Sequence, residues 1–150
     1  MKQVDEIIYD AISADSALMT AIGSRVKSTC FEVPPTDDDN TPLPNIIITD
    51  DGFQNQTGTK DTIWESEEDR MQVSVDVASS SPNEVKALIK QVRRAIEGHI
   101  VSLYQQGEQT PELESLTSSG IAWDWMKPCY YQVITYTCIT KADTEDEQED

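Results

Sequence analysis

Apolar positions in the first quarter of the chain recur at helical spacing. Val4, Ile7, Ile8, Ala11 and Ile12 form one stripe, which predicts an amphipathic helix over residues 3–14. A short second helix follows. Asp15 or Ser16 can cap it, Leu18, Met19 and Ile22 give it an apolar side, and Gly23 can end it. The stretch from Arg25 to Val33 reads as a strand. Residues 34–44 (PPTDDDNTPLP) carry four prolines and three consecutive aspartates, a mixture that no packed element tolerates, so they read as a loop.

From Asn45 the period changes. Asn45-Ile46-Ile47-Ile48-Thr49-Asp50 is a short β-branched strand, and the polar, glycine-bearing run 51–60 reads as a mobile loop. Strand character returns from Thr62. Met71, Val73, Val75 and Val77 fall on one face and Gln72, Ser74 and Asp76 on the other, the period of a half-buried strand. The charged run Glu65–Asp69 suits an extension of that strand beyond the domain body.

The most strongly marked helix comes next. Ser81, Pro82 and Glu84 supply a cap, a first-turn proline and a glutamate three residues after the cap. Val85, Leu88, Ile89, Val92 and Ile96 make the apolar stripe, Gly98 offers a stop, and residues 99–105 suit a further turn or two. Residues 115–126 read as one strand holding Trp123 and Trp125. Cys129–Thr140 is the last strand, with apolar residues on both faces, as in a central strand or a subunit contact. Strands cluster and helices are few. The expected fold is α+β: an antiparallel sheet with two main helices on one face and long loops, in a single domain over 1–142.

Composition adds limits. One domain fits 150 residues. No apolar run reaches the length of a membrane helix, and the acidic N-terminus lacks a signal-peptide core, so the expectation is a protein kept inside the cell that makes it. Cys30, Cys129 and Cys138 are odd in number and lack CxxC spacing, which argues against a disulfide framework or a zinc knuckle and leaves reduced thiols. The formal charge is −17, and about −11 without the run 143–150, an acidic tail expected to be disordered. That field disfavours gripping a nucleic-acid backbone.

The sequence carries no phosphate-binding glycine loop, no HExxH and no GxSxG. His99 stands alone past the expected helix end, and no catalytic, metal or cofactor residue is assigned. Asp37, Asp38 and Asp39 lack the glycine and distal glutamate of a calcium loop, so they read as a solvated acidic loop. Lys86, Lys90, Arg93 and Arg94 lie opposite the apolar stripe of their helix. They read either as a solvated face or as a contact with an acidic surface on a neighbouring subunit. Trp123 and Trp125, two apart on one strand face, read as core or as a protein contact.

The order of these pieces resembles the tail completion (tail terminator, head–tail joining) family of long-tailed bacteriophages. The resemblance rests on Ile8–Leu18 followed by Ile22-Gly23-Ser24-Arg25-Val26, then on Pro42-Leu43-Pro44-Asn45-Ile46-Ile47-Ile48. It continues through Arg70–Ser79 with the helix after it, and ends on Tyr130–Tyr136. It covers roughly residues 5–140; the family's usual aromatic after the Val-Asp strand is Ala78 here.

The resemblance implies a prophage-encoded structural protein, not an enzyme, without cofactor. It implies an oligomeric ring, typically hexameric, that caps the head-proximal end of the tail tube, ends polymerisation and joins the neck. The expected partners are further copies of the chain, the tail tube protein and a neck or head-completion protein. DNA would pass through without specific binding, and no membrane is involved. The expected location is the virion, and the bacterial host cytoplasm during assembly. A ring needs two different patches per copy, and the candidates are Lys86, Lys90, Arg93 and Arg94 against either Asp37, Asp38 and Asp39 or the run Glu65–Asp69, with Trp123 and Trp125 as further contacts; the candidate tube contact is the loop holding Phe53, Lys60, Trp64 and Glu67. A head–tail adaptor and a small cellular binding module are the alternatives.

Overall fold

A computed structural model describes residues 3–31, 33–55, 68–126 and 128–141. The chain runs α1 (Val4–Ala14), α2 (Ser16–Ile22), β1 (Val26–Ser28), β2 (Asn45–Asn55), β3 (Glu68–Ser79), α3 (Pro82–Gln105), β4 (Glu112–Ser118), β5 (Ala122–Asp124) and β6 (Cys129–Lys141). The six strands make one sheet in the order β1-β2-β3-β6-β4, with β5 pairing the start of β6. The fold is α+β as expected. One pair departs from the expected antiparallel sheet: β1 runs parallel to β2, with Val26 opposite Ile46. The long connection 29–44 carries the chain back to the end where β1 began, so β2 starts alongside it.

Helices α1 and α3 cover β2, β3 and β6 on one face. Their stripes bury Ile8, Ile12, Val92 and Ile96 against Ile46, Ile48, Val73, Val75, Ile134 and Tyr136. Full burial of each such aliphatic side chain stabilises the fold by about 1.5–3 kcal/mol. β6 is central, held by β3 on one side and by β4 and β5 on the other. The opposite face of the sheet is a polar lattice: Ser74 meets Thr135 at 3.1 Å, and Arg70 reaches over β6 to clasp Glu114 at 2.7 and 3.1 Å.

The helix ends follow their sequence signals, with one exception. Asp15 accepts from the Leu18 amide at 2.9 Å, and Gly23, at φ 62°, closes α2. Ser81 accepts from the Glu84 amide, and Glu84 accepts from the Ser79 hydroxyl. Gly98 does not stop α3. The helix continues to Gln105 because Ile100 and Leu103 prolong the apolar stripe onto the core. The stop is Gly107 (φ 81°), where the Gly107 amide donates to Tyr104 and the Glu108 amide to Leu103, a Schellman closure. His99 therefore lies within the helix.

Three strand boundaries also differ from expectation. β1 keeps only three residues of the stretch 25–33. β2 runs five residues into the expected loop: a bulge between Asp50 and Gly52 leaves Asp51 as the extra residue, Gly52 pairs with Gln72, and Gln54 and Asn55 pair with Arg70 and Asp69. The segment 115–126 is two strands. At the break the Ser119 amide donates to the Val133 carbonyl and the Ser119 hydroxyl accepts from the Val133 amide, standing in for a ladder partner.

Candidate functional site

The surface offers three features built from neighbouring elements. The first is apolar and lies where β2 and β6 begin. β5 turns into β6 through an Asx turn in which the Met126 amide donates to Asp124 at 2.9 Å. This turn lifts Trp125 (85% exposed) and Met126 (91% exposed) into solvent. Trp123 stays on β5, packed edge-on against Tyr130 at 4.8 Å and Trp125 at 5.9 Å. The two indoles touch, but Trp125 sits beyond the strand and neither is core; the burial reading of this pair is corrected by the turn that precedes β6.

Beside Cys129, at the start of the same strand, a small pocket of about 40 Å³ is lined by Cys30, Phe31, Pro34, Pro35, Pro42 and Cys129. The loop that forms its rim is tied by the Thr36–Pro42 bridge. At the tip, Asp37 accepts from the amides of Asp39 and Thr41, both at 2.9 Å, so this carboxylate caps its own turn. Asp37, Asp38 and Asp39 are all exposed.

The second feature is the outer flank of α3. Lys86, Lys90, Arg93 and Arg94 are all exposed, as their phase on the helix requires. Arg93 pairs with Glu97 at 3.7 Å, and among the described residues Lys86, Lys90 and Arg94 make no ion pair. Below Arg93 and Glu97 lies the Tyr136 ring. Burial, with the Glu97 charge adding to it, pushes the Tyr136 hydroxyl well above the usual phenol range. The buried Cys138 thiol is pushed up to about 11 by the same loss of water.

The third feature has no counterpart among the sequence-based expectations. The solvent side of α1 and the edge strand β1 form a cleft of about 350 Å³, lined by Asp5, Glu6, Tyr9, Asp10 and Ser28. Its signal in the sequence is the acidic outer phase of α1, i and i+1 with i+5, beside an exposed aromatic.

Of the residues expected to touch the tube, Phe53 is exposed on β2, opposite Met71, and belongs to a strand rather than a loop. Lys60, Trp64 and Glu67 lie outside the described residues, as does the run 143–150. Among the described residues no group of three or more His, Cys, Asp or Glu is placed to hold a metal ion, and no helix is long and apolar enough to cross a membrane.

No established protein-family profile and no curated protein matches the chain. Among solved structures, its fold is similar to that of a chain in the virion of a native gene transfer agent (GTA) particle. The identity is 12%, the TM-score 0.50, and the likeness covers 92% of this chain and 94% of that one. At that identity the two chains share a fold, from end to end.

Proposed function

We infer that this chain is a non-catalytic structural protein of a phage-like virion, acting as a tail terminator. Copies would form a ring on the head-proximal end of the tail tube, stop its growth and present a surface to the neck. The observation that carries this reading is the end-to-end likeness of fold to a chain of a gene transfer agent virion. The order of motifs along residues 5–140, which resembles the tail completion family, points the same way.

The surfaces suit such a role. Trp125 and Met126 on a short turn offer an apolar anchor of the kind that dominates protein contacts. The net charge of −17 would repel DNA phosphates from a channel wall and so prevent sticking. The partners are then further copies, the tail tube protein and a neck protein, in the virion and, during assembly, in the host cytoplasm.

The test is tube growth. Purified chain is added to polymerising tail tube protein from the same genome, and tubes are measured by electron microscopy. Shorter tubes with extra density at one end are expected. Tubes that keep growing, with bare ends, would sink this reading.

A further inference from the structure

We propose that the acidic cleft between α1 and β1 of one copy receives the basic flank of α3 of a second copy. This inference rests on the ring reading above and assigns its two contact surfaces.

α1 sits over β2 and β3, and its cleft is closed by Ser28 on the β1 edge. α3 sits over β3 and β6. On the inner flank of α3, Gln91 donates to Asp15 at 3.0 Å, which fixes the side facing α1 and α2. Residues 86, 90 and 93 project from the other flank at 3.6-residue spacing, with Arg93 beside Tyr136 of β6 and Arg94 on the exposed outer crest next to Lys90. The cleft and the basic flank are therefore at opposite sides of the helical layer. Each is hidden from the other within one molecule, and two copies placed side by side bring them together.

The chemistry matches. Asp5 and Glu6 offer carboxylates, and among the described residues neither makes an ion pair. Tyr9, 46% exposed, lines the same cleft and offers a ring face. Carboxylates beside an aromatic ring suit a guanidinium, which pairs with the first and stacks on the second. Lys27 of β1 does not neutralise the cleft, because its neighbours Val26 and Ser28 take the helix side of the strand and Lys27 takes the other. Among the described residues the ion pair on the basic flank is Arg93 with Glu97, and Lys86, Lys90 and Arg94 make none, so their charge is open to a partner. On a chain of net charge −17, this flank is where another copy meets attraction rather than repulsion. The contact joins two different patches, so it propagates head to tail and closes only as a ring.

The experiment uses the full chain. Mass is followed by sedimentation and light scattering over a concentration series at low salt, for the wild type, K90E/R94E, D5K/E6K and the two double variants mixed one to one. Circular dichroism spectra and thermal midpoints confirm that each variant is folded; K90Q/R94Q serves if a reversal fails that check. The wild type is expected to grow beyond 16.8 kDa with concentration. Each reversal alone should weaken association at least tenfold, and mixing should restore it, since each variant supplies the charge the other lacks. A wild type that stays monomeric throughout, or reversals that change nothing, would overturn the proposal. Tube capping by a protein that never self-associates would overturn this contact alone. Self-association without capping would overturn the terminator role alone.

Discussion

Tyr136 carries the most telling side chain in the core. Its ring is fully buried in the core that holds Ile134, Val92 and Ile96, and its hydroxyl lies close to the Arg93 guanidinium without a hydrogen bond of good geometry among the described residues. A buried hydroxyl without a partner costs about 1–3 kcal/mol in lost hydration, while the ring gains from burial. The charged pair Arg93 and Glu97 lies beside the hydroxyl, which softens that cost without cancelling it. Tyr136→Phe keeps the ring and removes the orphan oxygen. Urea denaturation should show it as stable as the wild type or more so, by up to about 1 kcal/mol. A loss above about 1 kcal/mol would mean that the hydroxyl is bonded in solution, with Arg93 the first candidate. The sequence placed Tyr136 on an apolar face of the last strand, but a strand pattern records which face is inward and not what lies above it.

At the scale of elements, α3 shows why boundaries are harder to read than cores. Gly98 looked like a stop because glycine has the freedom a helix end needs. Here it sits on the exposed side of a continuous helix, and a Cβ added to it would meet no atom within 4 Å. Packing of Ile100 and Leu103 outweighs the local weakness, and Gly107 supplies the left-handed residue that ends the helix. Gly98→Ala should therefore stabilise the protein by about 0.5–1 kcal/mol, read as a higher urea midpoint with unchanged slope. Destabilisation would show that α3 ends near residue 98 in solution. The same contrast separates what was legible from what was not. The stripes of α1 and α3 and the alternation of Met71 to Val77 are periodic over many residues, and they located the core. The five extra residues of β2 are polar or glycine except for Phe53, and they became strand through pairing with residues 69–72, a contact between distant segments that no local pattern records. The acidic cleft is of the same kind. Asp5, Glu6 and Tyr9 are plain in the sequence, but Ser28 closes the cleft only once β1 lies beside α1.

For the whole molecule, charge works in two directions, and salt separates them. Within one copy, a net charge of −17 on a small domain repels itself and favours expansion. Raising salt shortens the screening length from about 30 Å at 0.01 M to about 8 Å at 0.15 M, so that repulsion fades. The thermal midpoint of the chain, measured at a concentration too low for association, should rise over that range. Between copies, the contact of Lys90 and Arg94 with Asp5 and Glu6 is attraction, and the same screening weakens it. The mass at high concentration should then fall as the midpoint at low concentration rises. Apolar contact through Trp125 and Met126 would behave otherwise, because burial of apolar surface is insensitive to dilute salt and strengthens in sulfate. Association that survives 0.15 M salt and is lost in Trp125→Ala, with the midpoint unchanged, would assign the contact between copies to the indole turn. Association lost to salt and indifferent to Trp125→Ala leaves that turn, exposed at the start of β6, as the surface kept for a different partner.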